Sequence, residues 1–87
     1  GRIAGNYASN TAYSSGGANF FHNKVTGTSI TGSYTGNQAK GESGGGGANY
    51  FLDQLINVDL TGNFTNNTAR EGGANYFMYP LTNVTLT

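Results

Sequence analysis

Residues Gly62 to Phe77 read GNFTNNTAREGGANYF, and two earlier stretches say nearly the same thing: Gly5 to Phe21 reads GNYASNTAYSSGGANFF, and Gly32 to Phe51 reads GSYTGNQAKGESGGGGANYF. Followed outward, the likeness divides the 87 residues into three repeats, 5–31, 32–61 and 62–87. The distance from the opening glycine to Ala12, Ala39 or Ala69 never varies, nor does the distance from Ala18, Ala48 or Ala74 to the closing Thr31, Thr61 or Thr87. All length variation falls between the two alanine columns, in YSSGG, KGESGGGG and REGG. A rigid scaffold with one elastic segment per unit is the pattern of stacked coils, each repeat burying its apolar face only against its neighbours. The elastic segment is then expected to be a solvent-exposed corner loop.

Within each unit the periodicity is that of strands. Thr28–Tyr34 (TSITGSY), Val58–Phe64 (VDLTGNF) and Val84–Thr87 (VTLT) alternate with period two, and Ala18–Phe21, Ala48–Phe51 and Ala74–Phe77 add a second short β-prone run. No glycine-free window carries a helical apolar stripe. The expected fold is all-β: a parallel β-helix, or β-solenoid, of about three coils forming a single segment over residues 1–87.

One repeat per turn makes specific columns. Ile30, Leu60 and Leu86 should stack, as should Val58 with Val84, Tyr7 with Tyr34 and Phe64, Phe21 with Phe51 and Phe77, and Val25 with Leu55 and Leu81. Files of like side chains one strand spacing apart, about 4.8 Å, build a core that no single repeat could form. Two asparagine columns, Asn10, Asn37, Asn67 and Asn19, Asn49, Asn75, are placed to hydrogen-bond amide to amide along the axis, as Asn ladders do in cross-β stacks. The pairs Gly16-Gly17, Gly46-Gly47 and Gly72-Gly73 are read as sharp bends that need positive φ.

Composition excludes several classes of function. Four Lys and Arg residues balance four Asp and Glu, and they are scattered, so there is no basic footprint for nucleic acid or anionic membrane. No apolar run approaches the roughly 20 residues a transmembrane helix needs, and no signal-peptide pattern is present. Without cysteine there is neither a disulfide nor a thiolate metal site. Low charge with six Tyr and five Phe argues for a folded chain.

The aromatic-x-x-Asn and Gly-Gly-Ala strings resemble the chlamydial-type polymorphic outer membrane protein repeat, whose motifs are FxxN and GGA followed by an aliphatic residue. Phe64-Thr65-Asn66-Asn67 carries the first in full, and Tyr7-Ala8-Ser9-Asn10 and Tyr34-Thr35-Gly36-Asn37 carry it with Tyr for Phe. Gly16-Gly17-Ala18, Gly46-Gly47-Ala48 and Gly72-Gly73-Ala74 match the second, with Asn following in every copy. The resemblance covers essentially the whole chain. It implies a right-handed parallel β-helix in a large secreted or autotransported, outer membrane-associated surface protein, with adhesion to a host-cell or glycan surface as the usual role. Neither motif is catalytic, so it implies no active-site residues and no cofactor.

The residues that do bear chemistry point the same way. Polysaccharide-cleaving β-helices need clustered carboxylates, but Asp53 aligns with Asn23 and Tyr79, and Asp59 with Ser29 and Thr85. His22, the only imidazole, aligns with Leu52 and Met78 and lacks a partner acid and nucleophile. The tetraglycine Gly44–Gly47 lacks the Lys-Ser or Lys-Thr of a phosphate loop. An enzyme acting on polysaccharides is therefore the weakest reading, and no catalytic or metal-binding residue is assigned.

The sharper alternative is a flat hydroxyl face. Thr31, Thr61 and Thr87 form one column and Ser29, Asp59 and Thr85 another, both outward if Ile30, Leu60 and Leu86 point in. Such Thr-x-Thr arrays resemble those of ice-binding β-solenoids, which makes Thr31, Thr61, Thr85 and Thr87 the candidate surface-binding set. The leading expectation is a structural or adhesive repeat module. Its partner is itself, by end-to-end or edge-to-edge strand pairing, because nothing in the sequence reads as a cap over the open strand edges of the outer coils.

Overall fold

The computed structural model describes residues 1–42 and 44–87; Ser43, within the elastic segment of the second repeat, lies outside the described residues. Ten strands follow in order: β1 (Arg2–Ala8), β2 (Thr11–Ala12), β3 (Asn19–Phe21), β4 (Val25–Thr26), β5 (Ser29–Thr35), β6 (Gln38–Ala39), β7 (Asn49–Phe51), β8 (Leu55–Thr65), β9 (Asn75–Phe77) and β10 (Leu81–Leu86). Among the described residues there is no helix. Every strand pairing is parallel.

Three sheets run along one axis. The largest has the order β1-β5-β8-β10 with β4 also on β8; the others are β2-β6 and β3-β7-β9. Each pairing joins equivalent positions of successive repeats: Gly5 to Gly32 to Gly62, Ala12 to Ala39, Asn19 to Asn49 to Asn75. The chain is therefore a β-solenoid of about three turns, one repeat per turn.

Three left-handed backbone positions per coil turn the chain from face to face. One column is Ser9, Gly36 and Asn66, the second Gly16, Gly46 and Gly72, the third Gly27, Asn57 and Asn83, all with φ between 52° and 69°. Gly and Asn are the residues that tolerate this region at least cost, and they fill eight of these nine corner positions. Only the first glycine of each Gly-Gly pair has positive φ. The second answers a different need: a Cβ on Gly47 would sit on the Gly73 carbonyl oxygen and 2.6 Å from Thr68 N.

The elastic segment departs from expectation. Lys40 and Glu42 are exposed, but Gly44–Gly47 are buried. They fold back because their backbone groups are wanted by neighbouring coils: Gly46 N donates to Glu71 O, Gly16 N to Gly45 O and Glu71 N to Gly44 O. A buried backbone must be paired, and side-chain-free residues let it lie flat on the Tyr50 and Tyr76 rings, which come within 3.1 Å of where a Gly45 Cβ would be.

The core is the inside of the middle turns: Ile30, Tyr34, Ala48, Phe51, Leu55, Val58 and Leu60 are all at most 1% exposed. Rings stack in two inner files. Tyr7, Tyr34 and Phe64 are spaced at 4.9 and 4.8 Å, and Phe21, Phe51 and Phe77 at 4.6 and 5.0 Å. Ile3 joins the Ile30–Leu60–Leu86 file through the register of β1.

Candidate functional site

The inner asparagines make a directional chain of hydrogen bonds. Asn10 Nδ2 and backbone N donate to Asn37 Oδ1 at 2.9 and 3.1 Å, and the same two atoms of Asn37 donate to Asn67 Oδ1, each at 2.9 Å. Because a backbone N–H can only donate, the atom facing it must be the amide oxygen, which sets the orientation of each side chain. The second hydrogen of Asn37 Nδ2 reaches back to the Tyr7 carbonyl at 3.0 Å, and that of Asn67 to the Tyr34 carbonyl at 2.9 Å. A second ladder runs from Asn19 Nδ2 to Asn49 Oδ1 (2.8 Å) and from Asn49 Nδ2 to Asn75 Oδ1 (2.9 Å). Asn37 and Asn49 are fully buried. A third, exposed rung, Asn83 Nδ2 to Asn57 Oδ1 at 2.6 Å, sits at a corner column that the sequence reading passed over.

In the strands β3, β7 and β9 the side chains alternate so that Asn49 and Phe51 are buried and Tyr50 is not. Phe20, Tyr50 and Tyr76 form an outer stack at 4.9 and 5.2 Å. Burial, the neighbouring Tyr76 hydroxyl and the charge of Glu71 push the Tyr50 hydroxyl pKa up. Inside, Tyr34 Oη is a buried polar atom with no hydrogen bond of good geometry among the described residues. Its pKa is raised by desolvation and by Tyr7, an effect the nearby Asn49 amide partly offsets.

The candidate hydroxyl face lies on the largest sheet. Thr31 pairs with Thr61, and Thr87 N donates to Leu60 O, which continues the column. Ser29, Asp59 and Thr85 share the next outward column, and there the first coil contributes Arg2, as it contributes Ala4 to the threonine column. The array is regular in backbone and mixed in chemistry.

Among the described residues, Asp53, Asp59 and His22 share no hydrogen bond with one another. Asp53 Oδ1 accepts the Gln54 N–H at 2.7 Å, a local turn contact. Asp59 is exposed on the outer face of β8. His22, on the first coil, is exposed, with Nδ1 3.4 Å from Asn23 Oδ1. Among the described residues no group of three His, Asp or Glu is placed to hold a metal ion. Among the described residues, too, no helix is long and apolar enough to cross a membrane.

Beside the smallest sheet, an edge of mixed charges is legible from the sequence in Lys40, Glu42, Arg70 and Glu71, whereas the place of Tyr13 in the same file is not. Tyr13, Lys40 and Arg70 each follow an aligned alanine, Ala12, Ala39 or Ala69, and so project from successive coils. The signal was the constant offset from those alanines, hidden because the three side chains differ. Comparison of the chain with family models, with curated proteins and with solved structures finds no match.

Proposed function

We propose that this chain is a non-enzymatic structural and adhesive repeat module of an extracellular or cell-surface β-solenoid, extended at its ends by further coils of its own kind. The observation that carries this reading is the polarity of the Asn10–Asn37–Asn67 ladder. Each coil donates forward and accepts from behind, so the Asn10 end offers a free amide oxygen and the Asn67 end a free backbone N–H and amide hydrogen. The two ends are complementary to each other and not to themselves. Open parallel edges and half-buried core residues such as Phe64 and Phe77 accompany these groups. A further coil would satisfy both, whether it comes from the same polypeptide or a second copy, and such heterologous contacts propagate into filaments.

Two copies join seamlessly only with an adjustment. Arg2–Ala4 and Thr85–Thr87 occupy the same columns, so one of the two segments must leave the sheet when Gly5 of one copy follows Thr87 of another. Sedimentation and electron microscopy across a concentration series test the reading. Elongated particles that lengthen with concentration are expected, and more readily for a chain lacking residues 1–4. A stable monomer at high concentration would reject self-assembly.

One observation favours a second reading as a binder of ice or another crystalline surface: Thr31 and Thr61 are in register on neighbouring strands of the parallel sheet. Thermal hysteresis abolished by Thr61→Lys is its test, and a null result for the unmodified chain disposes of it.

A further inference from the structure

Two of the four Lys and Arg residues of this chain stand in one column of neighbouring coils. Gln38 bridges to Thr68 and Ala39 N donates to Thr68 O, which brings Lys40 and Arg70 to adjacent levels of the same face. Like charges directly opposite one another on a sheet are destabilising. Lys40 turns away from its neighbour, with Nζ 5.9 Å from the centre of the Tyr13 ring. Among the described residues neither cation is engaged by a carboxylate. Of the acids nearest in sequence, Glu42 follows β6 by three residues, and the charge of Glu71 acts on the Tyr50 hydroxyl of the next face.

Beside this column runs a second. Thr11, Gln38 and Thr68 are in register and exposed, two residues before Tyr13, Lys40 and Arg70. Between them lies a trough floored by the backbone at Ala39 and Ala69, whose methyl groups point to the opposite face, forming an open groove of about 410 Å³. One wall offers hydroxyl and amide groups. The other offers two cations and a phenol ring that is 84% exposed. Both walls repeat at the coil spacing of about 4.8 Å, parallel to the solenoid axis.

We infer that this groove binds a segment of acidic polysaccharide lying along the axis, its carboxylate or sulfate groups on Lys40 and Arg70 and its hydroxyls on Gln38 and Thr68. This names a ligand for the adhesive module proposed above and rests on that reading. Successive sugar units of an extended chain advance by about the coil spacing, so a polymer charged at each unit meets both cations at once. An oxyanion between them offsets the repulsion of like charges at adjacent levels, and a guanidinium and an ammonium are the side chains suited to it. Two cations fall far short of a nucleic-acid footprint, which needs many phosphate contacts.

The test is fluorescence anisotropy of the full chain with labelled oligogalacturonate, labelled dextran sulfate and labelled neutral dextran, at low and at physiological salt. Binding of at least one acidic polymer is expected, weakening with salt, and the arm that binds identifies carboxylate or sulfate as the group recognised. The exposed double variant Lys40→Ala/Arg70→Ala should lower that affinity roughly tenfold or more, while Lys24→Ala leaves it unchanged. Absence of binding to both acidic polymers overturns the inference, as does equal binding of neutral dextran or binding indifferent to the double variant. Sedimentation of the same samples keeps the outcomes apart: a chain that assembles but does not bind loses this inference and not the module itself.

Discussion

Asn37 Nδ2 hydrogen-bonds to Asn67 Oδ1 at 2.9 Å across thirty residues of sequence, with both side chains in the wall of the solenoid. That contact joins two coils, and the other amide hydrogen of Asn37, on the Tyr7 carbonyl, joins a third. Asn37 is fully buried, so each group it satisfies would otherwise be a desolvated orphan. Asn37→Ala is expected to lower unfolding free energy by about 2–4 kcal/mol. Asn37→Asp should do no better at neutral pH, because a carboxylate cannot donate to the Tyr7 carbonyl and would be buried with its charge. Urea unfolding midpoints followed by circular dichroism check both.

Tyr34 carries the opposite kind of group, a buried hydroxyl that lies near the Asn49 amide yet makes no hydrogen bond of good geometry among the described residues. The same column holds Phe64, whose ring stacks on Tyr34 without a hydroxyl. Tyr34→Phe is therefore expected to stabilise the chain, by about 1 kcal/mol.

The pH response of Tyr34 follows from its raised pKa. Burial holds the phenol neutral in the fold, whereas in the unfolded chain it ionises near the ordinary value of 10.0. Above that pH the unfolded state binds fewer protons, so its contribution is intact below pH 10 and is lost as pH rises toward the folded-state pKa. Tyr50, also raised, adds in the same sense. Thermal melts at alkaline pH should show a smaller loss for Tyr34→Phe than for the unmodified chain.

The glycines divide by what surrounds them. Gly47→Ala would drive a methyl onto the Gly73 carbonyl and against Thr68 N, with backbone on both sides and nothing flexible to give way. A loss of about 3 kcal/mol or more is expected. Gly27 has φ 57° with nothing within 4 Å of an added Cβ, and its column-mates Asn57 and Asn83 already adopt that conformation. Gly27→Asn should be neutral or stabilising by a few tenths of a kcal/mol, through a smaller unfolded-state entropy and a further rung on Asn57. Melting temperatures of the two variants separate the cases.

Phe20 and Phe51 differ in the same direct way. Phe51 is fully buried between Phe21 and Phe77, and its truncation to alanine should cost about 3–5 kcal/mol. Phe20 is 47% exposed at the end of the outer stack, and the same change there should cost about 1 kcal/mol. Both are read from denaturant titrations.

Periodicity alone carried the architecture. Because each repeat makes one circuit, aligning GNYASNTA with GSYTGNQA and GNFTNNTA already named the stacked partners Tyr7, Tyr34 and Phe64 and the rungs Asn10, Asn37 and Asn67. What no string of letters could decide was which way each side chain faces. Ala-Asn-Tyr-Phe alternates too briefly to distinguish a buried Asn49 and Phe51 from a buried Tyr50; the left-handed corners at Gly46 and Asn57, set by the whole circuit, settle it. The same holds for Gly44–Gly47, read as exposed loop yet buried, since backbone demand for partners in adjacent coils appears only once the coils are stacked. The aligned alanines already put Lys40 and Arg70 on one edge, but that Lys40 lies over the Tyr13 ring of the coil before it is decided by side-chain direction, which spacing along the chain does not carry.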